Sequence, residues 1–116
     1  MNILSIAIGG AVGSVLRYML SKYITFQEFP VATLSINIIG SLFLGYLFTK
    51  YSISNPKLYL LLGIGFCGAF TTFSTFSLET FKLIIQSQYL TALTYILISI
   101  VTGLLATALG IYLGKL

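Results

Sequence analysis

The sequence predicts an all-α membrane protein that forms a single domain over residues 1–116, with four transmembrane helices and a break in the third. Hydrophobic residues make up 58% of the chain and charged residues 7%, which places it outside the soluble globular range. Apolar stretches cover residues 3–21, 31–49, 58–81 and 90–114, each near the ~20 residues that cross a bilayer. The third stretch contains many hydroxyls, which is unusual for a membrane span. Because polar or irregular chain at membrane depth must be buried in protein or line a water-filled cavity, this stretch is the candidate site.

Short polar loops separate the four stretches and contain the expected helix breakers. Pro30 follows Glu28 in the first loop, and Pro56 stands between Asn55 and Lys57 in the second. Because no Lys or Arg precedes the first stretch and no small-residue cleavage site ends it, we expect a retained span rather than a signal peptide. The chain is therefore predicted to be a multi-pass protein of the cell (plasma) membrane, in contact with lipid.

The rare residue types exclude several functions. Cys67 is the single cysteine, and its apolar surroundings favour a buried packing role. Histidine is absent and the acids are Glu28 and Glu79 alone, so the sequence offers neither a transition-metal cluster nor a catalytic dyad, and we do not expect an enzyme. The net charge of +4 comes from scattered residues, which does not indicate a nucleic-acid partner.

Positive charge is balanced across the predicted membrane. The six cationic residues divide equally if the spans alternate: Lys50, Lys57 and Lys115 on the side of the N-terminus, and Arg17, Lys22 and Lys82 on or near the other. A chain without bias has no preferred orientation, although the first span or a partner is an alternative determinant of topology. Since four spans are few for a transport path, an antiparallel dual-topology dimer is predicted, which would recreate an inverted repeat.

Small residues recur on single helix faces and indicate close helix packing. They stand three or four residues apart, at Gly9 and Gly13, at Ser41 and Gly45, and at Gly103, Ala106, Gly110 and Gly114. Helices in lipid associate through such faces because no hydrophobic force acts between spans. We assign all of them to architecture.

Three polar residues within or near the ends of the spans have both a structural and a functional interpretation. Asn37 offers amide donors either to a ligand or to a neighbouring helix. Arg17 either extends to the membrane surface or attracts an ion. Glu79 either pairs with a lysine or a backbone donor, or lies hydrogen-bonded at the edge of a pore, which is the interpretation we favour.

The third span also carries an aromatic series with hydroxyls between its members. Phe70, Phe73 and Phe76 recur every three residues, which is typical of a core stripe but also places ring edges near the hydroxyls. Ring edges are electropositive, so they can favour an anion without a full charge. The rotatable donors of this segment are Thr71, Thr72, Ser74, Thr75 and Ser77. Together with Asn37 they could replace part of an anion's hydration shell.

Three sequence blocks resemble the signature blocks of the CrcB/Fluc family of fluoride channels. They are residues 9–18 (GGAVGSVLRY), residues 33–40 (TLSINIIG) and residues 65–76 (GFCGAFTTFSTF). The resemblance extends in order over essentially the whole chain. It implies an antiparallel dual-topology dimer with two separate pores, passive export of fluoride and one structural sodium ion at the dimer interface.

The resemblance also implies roles for particular residues. Phe73 and Phe76 match the pore phenylalanines, Asn37 matches the vestibule amide, and Ser74 and Thr75 match the polar track. Gly68 and Thr71 match the residues whose backbone carbonyls hold sodium where the third span breaks, in agreement with cation coordination by unwound transmembrane backbone. Arg17 matches the first-span arginine and Glu79 the third-span acid, at the pore edge or vestibule.

The predicted function is a fluoride-selective passive channel that exports fluoride and reduces its toxicity. Fluoride enters as its neutral weak acid and is trapped inside as the anion, so a passive exit relieves the trap. A small multidrug or cation exporter is an alternative, but it needs an acid in the first span and residues 3–21 contain none. An accessory membrane subunit is a further alternative that leaves the polar and aromatic residues unexplained. We expect a homodimer, with a heterodimer of paralogues as the other possibility.

Overall fold

The structure of the chain, a computed structural model, describes residues 2–24 and 28–116, and these residues form helices and no strand. Helix α1 is Asn2–Tyr23 and α2 is Val31–Tyr51. The third span begins with Pro56–Tyr59, continues as the π-helix Leu60–Cys67 and ends with Gly68–Phe70, and we call residues 56–70 α3. Helix α4 is Phe73–Ile85 and α5 is Tyr89–Lys115.

Four helical segments are long and apolar enough to cross a membrane, which confirms the predicted all-α fold with four spans. They contain 22, 21, 30 and 27 residues, the third being α3 and α4 taken together. Each reaches one to four residues beyond the predicted stretch at one end or both. The molecule is 48 Å long, against a hydrocarbon core of about 30 Å.

Local sequence accounts for where the helices start and turn. The Asn55 side chain accepts a hydrogen bond from the Leu58 N–H at 3.2 Å, and Pro56 occupies the first turn, where no N–H is needed. Ser87 has a φ of 61° in the turn between α4 and α5. This left-handed residue reverses the chain within the three residues that join the two helices.

The helices pack as two close pairs, α2 with α5 and α1 with α3. A methyl group added at Gly110 would lie 2.1 Å from the carbonyl oxygen of Leu42, and one added at Gly9 would lie 2.0 Å from that of Leu61. These glycines are therefore required for the backbones to approach, as the small-residue pattern predicts. Gly103 departs from the prediction, since a methyl group there would meet no atom within 4 Å.

A small buried cluster joins the C-terminal end of α4 to the N-terminal part of α5. Tyr95, Ala92 and Leu83 form its centre, and Phe29 and Phe76 pack against them. Most other large apolar side chains point outward, as expected for helices in lipid. The cluster fixes α4 beside α5 and so determines where the polar segment preceding α4 lies.

We predict that Gly110→Ala destabilises the fold, because the new methyl group would overlap a backbone oxygen that cannot move independently. The expected cost is about 1–3 kcal/mol, read as a lower unfolding temperature of the purified protein in detergent. Gly10→Ala is the matched control, since its methyl group would meet Gly65 O at 3.7 Å and Ala69 Cβ at 3.9 Å, both ordinary contacts. Equal unfolding temperatures for the two variants would contradict the close packing of α2 on α5.

Candidate functional site

Two extended residues stand between α3 and α4. Thr71 has φ −78° and ψ 156°, and Thr72 has φ −149° and ψ 122°. They lie about 20 Å along the helix axis from either end of the third span, and therefore near mid-membrane. Backbone groups that leave a helix at this depth need new partners because lipid supplies none.

Asn37 of α2 supplies partners for both backbone groups of Thr72. Its Nδ2 donates to the Thr72 carbonyl at 3.1 Å, and its Oδ1 accepts from the Thr72 N–H at 2.8 Å. This two-way pairing fixes which end of the amide is nitrogen. Asn37 therefore forms the interhelical contact that was one of its two predicted roles, and one of its two Nδ2 hydrogens is left for a ligand.

The last turn of α3 is held from the other side. The Thr71 N–H and hydroxyl both donate to the Cys67 carbonyl, at 3.0 and 2.9 Å, and Arg17 Nε donates to the Ala69 carbonyl at 3.0 Å. Arg17 thus reaches into the protein rather than extending only to the membrane surface. Its positive charge lies at the negative end of a helix, where it is stabilising.

The same turn leaves other carbonyls without donors. The Gly68 carbonyl would pair with the Thr72 N–H in a continuous helix, but that N–H is bonded to Asn37. Within the described chain, no hydrogen bond reaches the carbonyl oxygen of Gly68 or of Thr71. Among the same residues no group of three His, Cys, Asp or Glu side chains gathers, so a cation at this place would rely on carbonyls.

The hydroxyls of Thr72, Ser74 and Thr75 form a local network at the start of α4. Thr72 Oγ1 accepts from the Thr75 N–H at 3.2 Å and lies 3.2 Å from both Ser74 Oγ and Thr75 Oγ1. This is an N-terminal cap, which explains why α4 begins at Phe73. Ser77 is exposed.

A cavity of about 270 Å³ opens beside the extended residues, between α2, α4 and α5. Nine residues line it: Asn37, Ser41, Thr71, Thr72, Phe73, Phe76, Ser99, Ile100 and Gly103. Asn37, Phe73, Phe76 and Thr71 are brought together as neighbours of one space. Ser74, Thr75, Gly68, Arg17 and Glu79 do not line it.

Ser99 is a cavity residue to which the sequence assigned no role, because no motif surrounds the hydroxyls of the fourth span. Its hydroxyl oxygen is the one buried side-chain polar atom of the described residues that has no hydrogen-bond partner. It lines the cavity together with Asn37. Its spacing along α5 could have identified it, since Ser99 stands four residues from both Tyr95 and Gly103 and so lies on the same side of the helix as each of them.

The phenylalanine series is divided by the extended segment. Phe73 and Phe76 lie together at the cavity with ring centroids 5.7 Å apart, and Phe73 is 77% exposed. Phe70 is instead buried and stacks on Phe66 at 5.4 Å. Regular spacing therefore does not place the three rings on one face, since a non-helical step separates Phe70 from the other two.

Glu79 is paired one turn beyond Phe76. The Tyr95 hydroxyl donates to Glu79 Oε1 at 3.0 Å, and the Tyr95 ring packs on Phe76 at 5.0 Å. Its partner is thus a buried tyrosine rather than a lysine or a backbone donor. Glu79 does not line the cavity, but it bonds Tyr95, which packs on the cavity residue Phe76.

Comparison with known proteins places the chain in a family. The family model described as "CrcB-like protein, Camphor Resistance (CrcB)" matches residues 4–111. The chain belongs to the CrcB family. A relative named "Fluoride-specific ion channel FluC" from Helicobacter pylori (strain G27) is 42% identical, over 94% of this chain and 89% of its own length. "Fluoride-specific ion channel FluC 2" of Bacillus subtilis (strain 168) is 43% identical, over 96% and 86%.

The archaeal relative "Fluoride-specific ion channel FluC 1" of Methanosarcina acetivorans is 45% identical, over 99% of this chain and 88% of its own length. The family predicted from three sequence blocks is thereby confirmed. Membership of CrcB, together with the four membrane-spanning helices, makes the chain a multi-pass protein of the plasma membrane.

We predict that Asn37→Ala loosens the extended segment of this CrcB chain, because both backbone groups of Thr72 lose the side chain that pairs with them. Each unsatisfied buried group costs about 1–3 kcal/mol, so hydrogen exchange at the Thr72 amide should accelerate and the unfolding temperature should fall. Asn55→Ala is the control, since Asn55 is exposed and water can replace its cap. Unchanged exchange at Thr72 in Asn37→Ala would contradict the pairing.

Proposed function

We propose that this CrcB-family chain is a passive, fluoride-selective channel that lets fluoride leave the cytoplasm and so reduces fluoride toxicity. The relatives reported above are named as fluoride-specific ion channels. The observation that carries the proposal is the mid-span cavity, where Asn37, Ser99, Phe73 and Phe76 border one space in otherwise apolar helices. A channel of this kind is not an enzyme, since passage of the ion neither makes nor breaks a covalent bond.

Neutral donors replace part of fluoride's hydration shell in this proposal. The free Nδ2 hydrogen of Asn37 and the unpartnered hydroxyl of Ser99 both border the cavity. Because Asn37 is held by Thr72, its remaining N–H is aimed without a further loss of side-chain entropy. Neutral donors hold an anion weakly enough for it to leave, which conduction requires.

Phe73 and Phe76 supply the aromatic part of the path. Their positive ring edges attract an anion at a place where a full positive charge would trap it. Phe76 is oriented by its contact with Tyr95, and Phe73 by Phe76. Ser74 and Thr75 extend the polar track from the cavity along the first turn of α4.

Charged residues flank the path in the proposed channel. Arg17, bonded at the end of α3, raises the local concentration of anions on its side. Glu79 marks the opposite edge, and its bond from Tyr95 keeps the carboxylate out of the cavity.

We further propose a sodium ion bound by the carbonyls of Gly68 and Thr71. The donor chemistry fits, because both oxygens lack a hydrogen bond in the described chain and stand where a span leaves the helical conformation, which we take as the predicted break. Carbonyls at such positions coordinate small cations. Sodium would supply the positive charge that satisfies them, and the same carbonyls of a second copy would complete its shell.

The proposed assembly is an antiparallel homodimer of oppositely inserted copies. The near balance of charge supports it, since Lys50, Lys57 and Lys115 lie at or near span ends on one side and Lys22 and Lys82 lie nearer the other, while Arg17 is bonded within the span to Ala69. A heterodimer of dedicated paralogues would instead be expected to show opposite biases.

The assembly is tested by two measurements on the same protein. Reporter fusions at the C-terminus should show both orientations in one cell population, and replacing sodium with a large organic cation should lower the unfolding temperature of the purified dimer. Signal from one side only would refute dual topology. An unfolding temperature indifferent to sodium would refute the cation site.

Fluoride efflux tests the function directly. Liposomes that contain the purified protein and are loaded with potassium fluoride should release fluoride on addition of a potassium ionophore, as read by a fluoride electrode. Liposomes loaded with chloride should retain it. Fluoride retention by the intact protein would refute the proposed function.

The phenylalanines are tested in the same assay. Phe76→Ile and Phe73→Ile keep apolar bulk and remove the ring edge, so the fluoride efflux rate should fall at least about tenfold, equivalent to a loss of about 1.4 kcal/mol of stabilisation at the barrier. Phe66→Ile is the control. Phe66 stacks on buried Phe70 away from the cavity, so efflux should persist with a modest stability loss of about 1 kcal/mol. Equal effects of all three substitutions on fluoride efflux would indicate that Phe73 and Phe76 are core residues and not part of the path.

A further inference from the structure

Gly103 lies in the interior of α5 and is the glycine of this helix that no other helix of the described chain approaches. A methyl group at Gly110 would meet Leu42 O at 2.1 Å, and one at Gly114 would meet Thr49 Cβ at 2.7 Å. At Gly103 no atom lies within 4 Å of the same position. Close approach of another described helix therefore explains Gly110 and Gly114 but not Gly103.

Helix stability does not explain Gly103 either. Glycine in the interior of a helix is less favourable than alanine because it loses more backbone freedom on folding. Alanine would fit here without a clash, so alanine at position 103 would make the helix more stable than glycine does. A reason for the missing side chain must lie outside the packing and the stability of α5.

The cavity provides that reason. Gly103 lines it together with Asn37, Thr72 and Ser99. On α5 it stands four residues after Ser99, on the same side of the helix, and it carries no side chain. Because Gly103 has no side chain, nothing projects from α5 into the cavity at this position, and the space that Asn37 also lines stays open.

We propose that Gly103 determines the width of the anion pathway and thereby its conduction rate, an inference that rests on the proposed channel function. The cavity of about 270 Å³ is large enough for water to accompany the ion. A methyl group at 103 would narrow it slightly, and a valine or phenylalanine side chain would fill progressively more of it. Fluoride that has shed part of its shell to Asn37 and Ser99 still needs the remaining waters, so efflux falls as the side chain grows.

The test is a size series, Gly103→Ala, Gly103→Val and Gly103→Phe, measured by fluoride efflux from liposomes and by unfolding temperature in detergent. Efflux should fall about twofold to fivefold for alanine, about tenfold or more for valine, and to background for phenylalanine. The alanine variant should unfold at the same temperature as the parent or higher. Flux thus falls without a loss of stability, which a packing role would not produce.

Ala108→Val and Ala108→Phe are the matched controls, because Ala108 is exposed on the same helix and does not line the cavity. They should leave efflux unchanged. Gly103→Val with efflux equal to that of the parent would overturn the inference while leaving the channel function intact. Loss of the assembled species on size-exclusion chromatography in Gly103→Ala would also overturn it, since Gly103 would then pack against another chain. Fluoride retention by the unmodified protein would refute the channel function itself.

Discussion

The pairing of Asn37 with both backbone groups of Thr72 is the interaction on which the site depends. A span that becomes extended near mid-membrane exposes an N–H and a C=O that lipid cannot satisfy. One side-chain amide satisfies both, at 2.8 and 3.1 Å. Because this amide replaces the helical partner of Thr72, it also frees the Gly68 carbonyl and lets α4 restart under the Thr72 cap.

The architecture around this pairing keeps it in place. Asn37 can reach Thr72 because α2 is held against α5 through glycine contacts such as Gly110 on Leu42, while α1 approaches α3 through Gly9. Arg17 extends from α1 to the last turn of α3, so the extended residues are held from both sides. The cavity is the space left between helices that are fixed elsewhere. Its polar lining combines Asn37, whose amide is held by Thr72, with the Ser99 hydroxyl, which has no partner among the described residues.

Sequence alone predicted the features that depend on composition and spacing within one element. The four spans, the hydroxyl-rich third span and Asn37 were identified because each has a local pattern, whereas the pair Phe73 and Phe76 was singled out by the family resemblance. Two contacts across spans were not identified, namely the Arg17 bond to Ala69 and the Tyr95 bond to Glu79. The sequence also did not show that the Ser99 hydroxyl lacks a partner, because this depends on the helices around it. A three-residue spacing also grouped Phe70 with the cavity rings, since the sequence did not reveal where helical periodicity stops.

In the proposed channel, fluoride binds against the Asn37 amide beside the extended segment. Solid-state NMR of the protein in lipid, with ¹⁵N in asparagine side chains and ¹⁹F as fluoride, measures this contact through the dipolar coupling between the two nuclei. An Nδ2 to fluoride distance of about 3 Å is expected for Asn37, with no coupling for Asn55. Absence of any Asn37 coupling at fluoride concentrations that support efflux would contradict it.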